Sequence, residues 1–521
     1  MFADVYPLKR LPRGMGAFTY RIPQELEQDV ARGSFVEIPW RSRMVRGVVA
    51  CTHEHTPPYA VKPVRHLYDR SIDTQDLGVY EEMAQETIQS VSTLLYASFP
   101  SPRRRKTHER MIDRPEESPQ DIPGPSFRKM EIDWATRLDL STPELFVQVP
   151  DVQTTALLVR RLVHDHGKPV LFLVPHKHDL DVAAQVLANL RVAVCDSALT
   201  IPKRFDRAEA WRSGNIDVLI STRLGSTFEP PKTLGAVVIG RSGMDEHAQY
   251  DRNPRYDARR FALSWARVRQ ATRIITDTAP RCVDADLPSV PSPFSPPKSV
   301  TIIHLKDSVR GSDHPLLSDA LIDAIRETGR NQERVLLLHN RKMSGERPAS
   351  EGVEALRLAL SKQIEQDIGI ITAEVQDRIH APVLIATQLY YERVYHPLRD
   401  SFGLVALLTA DQLSYGLSER TSEQALRTLH EYAGIAWRSS CPLLIQAWEH
   451  ALLQRMLLHP QTFFRELCQS RKDYNQPPYS TRYEVTPKDK SAWFITNPTP
   501  TQREELKNLP DSVIIKNLTW L

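Results

Sequence analysis

Glycine is scarce in this chain, at 20 of 521 residues, below the usual share of about 7%. That weighs against a protein full of phosphate-cradling loops, and no G-x-x-x-x-G-K-[ST] stretch occurs anywhere. Cysteine is sparse too. The five residues (Cys51, Cys195, Cys282, Cys441, Cys468) lie far apart with no C-x-x-C pair, which excludes a zinc ribbon and a dithiol redox motif. An odd, dispersed set reads as reduced thiols in a cytoplasmic protein. Charge of one sign is not in excess. Lys+Arg number 67 against Asp+Glu 64, a net charge of +3, so any basic surface must come from local clustering. The opening MFADVYPLKRLPRG lacks the apolar stretch of a signal peptide. The longest apolar run, near 402–410, falls well short of the roughly 18 residues that span a bilayer.

What is abundant is proline, 39 residues, above the usual share of about 5%. Two Pro-rich stretches, RPEESPQDIPGP (114–125) and DLPSVPSPFSPP (286–297), divide the chain. Proline removes backbone donors and biases its predecessor to extended geometry, so these segments suit linkers. Apolar content of 41% and charged content of 25% are ordinary for globular proteins. At roughly 100–200 residues per domain, three to five domains are expected.

Residues 1–70 read as β: FTYRIP, SFVEIPW and VRGVVAC are short runs rich in β-branched and aromatic residues. The spacing over 77–97 predicts a helix. Residues 144–285 alternate strand and helix. ELFVQVP, PVLFLVP, DVLIST, GAVVIG and RIITD are apolar runs without polar alternation, as in strands buried on both faces of a parallel sheet. The helix TTALLVRRLVHDHG between the first two should end at Gly167. Residues 300–475 repeat the style with VTIIHL, RVLLLHN, DIGIITA, PVLIATQ, GLVALLTAD and PLLIQAW. Two α/β lobes in tandem follow a β-rich start.

Several ordered motifs resemble the primosomal protein N′ (PriA) helicase family. FTYRIPQELEQDVARGSFVEIPWRSRMVRGVV is similar to that family's N-terminal 3′-DNA-end-binding domain. LFLVPHKHDL resembles its LVPE motif, WRSGNIDVLISTRLGSTFEPPKTLGAVVIG its lobe-1 stretch, and PRYDARRFA its PRYHARD. In lobe 2, VLIATQ, ALLTAD and HEYAGIAWR resemble GTQM, LxxAD and QVAGRAGR, and QPPYS a late PPF-type motif. The resemblance spans nearly the whole chain. It implies an α/β fold: a small N-terminal β domain (1–72), a winged-helix-like region and linker (73–143), and two tandem RecA-like helicase lobes (144–285 and 300–475). A Pro-rich linker (286–299) lies between the lobes, and an abbreviated C-terminal domain (476–521) follows.

The departures bear on activity. Between Asp151 and Ala156, where the family has its P-loop, there is neither Gly nor Lys. The family's DEEH, which would hold magnesium, is replaced by Gly240-Arg241-Ser242-Gly243. Asp245-Glu246-His247 stands five residues on and reads as a solvated loop. SATPS has become Asp277-Thr278-Ala279-Pro280-Arg281. Of the last motif's arginine pair, Arg438 survives and Ile435 replaces the other. The family's cysteine-rich zinc insertion after Asn340-Arg341 is missing.

By resemblance, the pocket for a nascent 3′ end maps to Phe18, Thr19 (Asp in the family), Arg41 (often Gly) and Lys62. Phe18 reads equally as a core residue of a small β domain. Arg103, Arg104, Arg105 and Lys106 form the densest basic run, suited to phosphate contacts or to a solvated linker face. Arg41, Arg43 and Arg46 read as alternating charges on one β segment, the first two on one face. Cys51, His53 and His55 have the residue types of a metal site but no remote partner. His164 with His166, and His176 with His178, read as helix- and strand-end residues. Trp211, Trp265 and Trp437 read as packing residues. No catalytic residue, metal or cofactor is expected. The expected role is DNA replication restart: binding forked or 3′-ended DNA without ATP hydrolysis, alongside single-strand-binding protein and primosome components. The expected location is cytoplasmic, at the nucleoid, with no membrane partner. The rival reading is an active ATP-dependent 3′–5′ DNA helicase with non-standard groups.

Overall fold

The computed structural model describes residues 1–99, 129–139, 142–290, 299–308, 314–339, 352–416, 418, 420–488, 491–510 and 512–519. Five antiparallel strands open the chain: β1 (Phe2–Pro7), β2 (Phe18–Arg21), β3 (Ser34–Trp40), β4 (Arg43–His53) and β5 (His66–Ser71). They lie in the order β2-β1-β4-β3-β5. Strand β1, which the sequence reading passed over, alternates buried and half-buried side chains along FADVYP, the period-2 signature of a strand with one covered face. Gly47 lets β1 and β4 approach, since a Cβ there would lie 2.4 Å from Val5 Cγ1. The β3–β4 hairpin turns on Arg41 at φ 54°. Arg41 therefore lies in the turn and not on the strand with Arg43 and Arg46, which corrects the expected face-sharing.

The helix expected over 77–97 is two helices, α1 (Thr74–Thr87) and α2 (Val91–Ser98). The break falls at Ile88, in the left-handed region at φ 53°. Next to it, the Gln89 side chain accepts from the Arg255 backbone N–H at 2.8 Å. Both helices pack on lobe 1. The Tyr80 hydroxyl donates to the Thr227 carbonyl at 2.8 Å, and Arg269 clamps Asp76 through both terminal nitrogens at 2.5 and 2.6 Å. A third helix, α3 (Lys129–Arg137), also joins the lobe-1 core through Ala135. These three helices are the described part of the expected winged-helix-like region. Residues 100–128, with Arg103, Arg104, Arg105 and Lys106, lie outside the described residues.

Lobe 1 comprises β6 (Glu144–Gln148), α4 (Val152–His166), β7 (Val170–Leu173), α5 (Lys177–Val186), β8 (Val192–Cys195), α6 (Ile201–Arg212), β9 (Val218–Ser221), β10 (Ala236–Ile239), a short β11/β12 ladder (Ala248–Gln249, Tyr256–Asp257), α7 (Ala258–Arg269), β13 (Thr272–Asp277) and β14 (Ser289–Val290). Its sheet runs β14-β6-β13-β10-β7-β9-β8, all parallel. The fully buried VLFL, VLIS and AVVI strands match the unalternating runs in the sequence. Helix α4 ends as expected at Gly167, φ 60°. Lobe 2 comprises β15 (Val300–His304), α8 (Asp319–Arg330), β16 (Val335–Leu338), α9 (Val353–Leu360), β17 (Ile368–Ile371), β18 (Gln376–Asp377), β19 (Val383–Ala386), α10 (Leu389–Arg393), β20 (Leu404–Leu407), α11 (Thr421–Ser439), β21 (Leu443–Ala447), α12 (Ala451–Leu458) and α13 (Pro460–Asp473). Its order is β15-β21-β20-β16-β19-β17-β18, parallel except for the β17–β18 hairpin. The fold is thus α/β, a small β domain followed by two tandem lobes, each built on a seven-stranded sheet that is wholly or mostly parallel.

The chain closes with β22 (Arg482–Thr486), β23 (Trp493–Thr496), α14 (Pro500–Lys507) and β24 (Ile514–Asn517). Their core, Tyr483, Val485, Leu506 and Ile515, packs on Ile88. Arg13 donates to the Val513 carbonyl at 2.6 Å, so the two chain ends meet over α1. Among the described residues, no helix is long and apolar enough to cross a membrane.

Burial and the neighbouring Asp76 carboxyl push Glu229, under α1, up to about 7. The native state then holds a proton that the unfolded chain gives up at lower pH. The stability this group allows is full below about 4.5 and declines as pH rises through 7. Glu229→Gln should remove that decline: relative to wild type it should gain on the order of 1–3 kcal/mol between pH 5 and pH 8, read from urea midpoints. An equal difference at both pH values would contradict this.

Candidate nucleic-acid interface and the lobe junction

On the N-terminal sheet, Phe18 packs edge-on against Trp40, ring centroids 4.7 Å apart at 86°. Trp40 leads directly into Arg41, whose carbonyl accepts from Lys62 Nζ at 3.5 Å. Arg41, Arg43 and Lys62 are exposed, and Phe18 is half-buried. The structure therefore gathers Phe18, Arg41 and Lys62 at one end of the sheet: an aromatic wall beside cationic side chains. Such a set can stack on an unpaired base and meet its phosphate. The Phe18 ring also lies against the small-domain core, in line with the core reading.

Thr19 is not brought to the same side. Neighbours on a strand point to opposite faces, and the Thr19 hydroxyl donates to Asp4 Oδ1 at 2.7 Å. Asp4 stands across from both Thr19 and Cys51 in the ladder, and His53 Nε2 lies 3.5 Å from its carboxylate. Position 19 lacks a carboxylate, but one stands on the adjacent strand, fixed by Thr19. Sequence reasoning missed Trp40 and Asp4. The SFVEIPW run held a signal for Trp40, an aromatic at a strand end; Asp4 needed the strand pairing. Cys51 and His53 thus contact Asp4, and among the described residues no group of three or more His, Cys, Asp or Glu side chains could hold a metal ion.

The second region is the junction of the lobes. Helix α4 opens on Asp151, its N-cap, whose Oδ1 accepts from the Thr154 N–H at 2.9 Å. A helix N-terminus attracts anions; here the anion is the protein's own carboxylate. Arg438, in the last turn of α11, reaches across from lobe 2. It donates from Nη2 to Asp151 Oδ2 at 2.7 Å and to Thr154 Oγ1 at 3.0 Å, and from Nη1 to Glu131 Oε2 at 2.8 Å. Burial works against Arg438's charge, but Asp151 and Glu131 hold it firmly protonated.

Arg241, where the acidic motif would stand, builds a second knot. It is buried at φ 50° and contacts Asp179 at 3.2 Å and Glu431 of α11 at 3.0 Å. Its guanidinium lies 4.6 Å from the centre of the Tyr391 ring. Arg427 shares Glu431 at 2.6 Å. Asp277 accepts from the Gly243 N–H at 2.6 Å and the Thr278 N–H at 2.7 Å. Gly434 allows the close approach: a Cβ there would stand 3.0 Å from the Pro150 carbonyl, which also accepts from the Tyr391 hydroxyl at 3.2 Å. Asp245 is exposed, as expected of a loop residue, but it pairs with Arg420 of lobe 2. His247 departs from the solvated-loop reading. It is buried, with Nε2 at 2.9 Å from the Gly240 carbonyl. Trp211, Trp265 and Trp437 are buried, consistent with packing.

Residues 10–100 match the model of the PriA 3′-DNA-binding domain (3′BD). No curated protein matches the chain. Among solved structures, RecG bound to a three-way DNA junction aligns over 67% of this chain and 47% of its own, with 14% identity and a TM-score of 0.41. The Mycobacterium smegmatis helicase Lhr bound to ssDNA and AMP-PNP aligns over 65% and 50%, with 15% identity and a TM-score of 0.34. The E. coli DExH-box NTPase HrpB aligns over 63% and 43%, with 15% identity and a TM-score of 0.40. The chain spans about half the length of these structures. Its N-terminal region is thus similar to the 3′-DNA-binding domain of PriA.

Two histidines at the junction give it a pH signature. Burial and Arg241 lower His176 to about 2; burial and Arg259 lower His247 to about 3. Both are neutral in the fold and titrate near 6.5 when unfolded. Their contribution is full above about pH 6.5 and is lost as pH falls below it, at up to roughly 1.4 kcal/mol per pH unit for each. The urea midpoint should drop between pH 7 and pH 5, and His247→Gln should flatten the drop. Unchanged pH dependence in that variant would contradict the assignment. Arg438→Ala leaves Asp151 and Glu131 without this partner and should cost about 3–5 kcal/mol, read by the same unfolding.

Proposed function

We propose, from a PriA-type 3′-DNA-binding domain at residues 10–100, that this protein binds forked or 3′-ended DNA in replication restart. On this reading its two helicase-type lobes act as a fixed scaffold without ATP hydrolysis or unwinding. The observation that carries the second half is Arg438 on Asp151. A nucleotide-driven motor keeps the helix N-terminus open for phosphates and swings its lobe-2 arginine onto the γ-phosphate. Here that arginine is committed to a carboxylate already capping the helix. A triphosphate entering there would meet the negative charges of Asp151 and Glu131. It would also have to break buried ion pairs, which is costly because stranded charges remain.

On the DNA side, Phe18 and Trp40 supply a stacking surface, and Lys62, Arg41 and Arg43 supply charge for the phosphates. Single-strand-binding protein and primosome components are the partners this role implies. Affinity should fall with salt, with a slope set by how many of these cations meet phosphates.

The test pairs two titrations of the full chain. Fork DNA with a 3′ arm at the branch should bind, and Lys62→Ala should weaken it while lowering the salt slope by about one. Phe18→Ala should weaken binding by about 1–3 kcal/mol without changing that slope. A non-hydrolysable ATP analogue with magnesium should not bind. DNA-stimulated ATPase activity that is lost in Asp245→Asn would establish the rival helicase reading instead.

A further inference from the structure

Cys282 and Cys468 come from opposite sides of the lobe junction. Cys282 opens a single 3-10 turn (Cys282–Asp284) just after β13 of lobe 1, and Cys468 lies on α13, beyond the lobe-2 sheet. They are 186 positions apart in sequence, yet their Sγ atoms are 3.1 Å apart. Both are reduced and buried, at 3% and 7% exposure. The pair is held by its surroundings. The Cys282 N–H donates to Glu423 Oε2 of α11 at 3.0 Å, and Glu423 pairs with Arg471, one turn beyond Cys468, at 3.2 Å. Arg471 donates in turn to the Pro477 carbonyl at 3.3 Å. Backbone and side chains on both sides of the junction thus fix the two sulfurs facing each other.

We propose that Cys282 and Cys468 are a thiol–disulfide site that, when oxidised, bonds lobe 1 covalently to the end of lobe 2. A modest approach of the sulfurs reaches the bond length of about 2.05 Å. The contact with Cys282 holds Cys468 below the ordinary thiol range, and the same contact, with burial, pushes Cys282 up. Whichever of the two sulfurs attacks first, the product is the same disulfide. The oxidant is a peroxide, small enough for a buried pair. Starting from Cys468, the thiolate attacks one peroxide oxygen, breaking the O–O bond, and becomes a sulfenic acid; the departing hydroxide takes a proton to become water. Cys282 then attacks the sulfenic sulfur, the S–S bond forms, and the hydroxyl leaves as a second water. Two thiols are oxidised and one hydrogen peroxide is reduced to two waters, which carry off both thiol protons. Thiol reductants reverse the step. The proposal rests on the junction geometry alone and is independent of DNA binding.

The full chain is treated with hydrogen peroxide, its free thiols are blocked with N-ethylmaleimide in denaturant, and it is digested without reduction. The expected result is a cross-linked peptide joining Cys282 to Cys468, two hydrogens lighter than the separate peptides and lost on adding dithiothreitol. Oxidised wild type should melt several degrees higher than reduced. Cys468→Ser should show neither effect and Cys51→Ser should show both. Peptide mapping on wild type decides the matter even where Cys468→Ser does not fold. Recovery of Cys282 and Cys468 as blocked thiols, as sulfinic acids, or bonded to other cysteines would overturn the proposal.

Discussion

The structure depends on a buried exchange of charge between two lobes that share no covalent contact except the Pro-rich segment between them. Arg438 leaves α11 and ends on Asp151 and Glu131; Arg241 leaves lobe 1 and ends on Glu431. Each arginine is desolvated, so each interaction matters most through the cost of breaking it. Opening the junction would strand at least one charge on each side. Gly434 and the Pro150 carbonyl keep the backbones close enough that water has little room to compensate.

On the proposed reading, this arrangement is the physical reason the two lobes act without nucleotide. The start of α4 is a ready anion site by virtue of its free N–H groups. A carboxylate at the cap takes the Thr154 N–H and offsets the positive potential that would draw a phosphate. On the same reading, Arg241 adds a second buried positive charge, already committed to Asp179 and Glu431. The proposed DNA contact lies away from these residues, on the N-terminal sheet around Phe18, Trp40, Arg41 and Lys62.

Much of the architecture was legible because it is local. The unalternating runs VLFL, VLIS, AVVI, VLLL and LVAL declare strands covered on both faces, and Gly167 declares a helix end. The interruption at Ile88 was hidden because a β-branched residue in the left-handed region leaves no sequence mark. Phe18 and Thr19 could have been separated from sequence, since adjacent strand residues cannot line the same face. The partners of Arg438 and Arg241 could not. Glu131 is 307 positions from Arg438 and Glu431 is 190 from Arg241, distances at which only the fold brings side chains together. For the same reason, five scattered cysteines gave no hint that two of them face each other.

The most direct test of the fixed-scaffold account is the distance between the lobes in solution. Spin labels can be placed at exposed positions on each lobe, through His164→Cys on α4 and Asp377→Cys on β18, with Cys51→Ser removing the exposed native thiol. Pulsed electron paramagnetic resonance then reads the separation with and without magnesium and a non-hydrolysable ATP analogue. The account predicts one narrow distribution that does not move. A second population, or a shift of several ångströms on adding nucleotide, would contradict it.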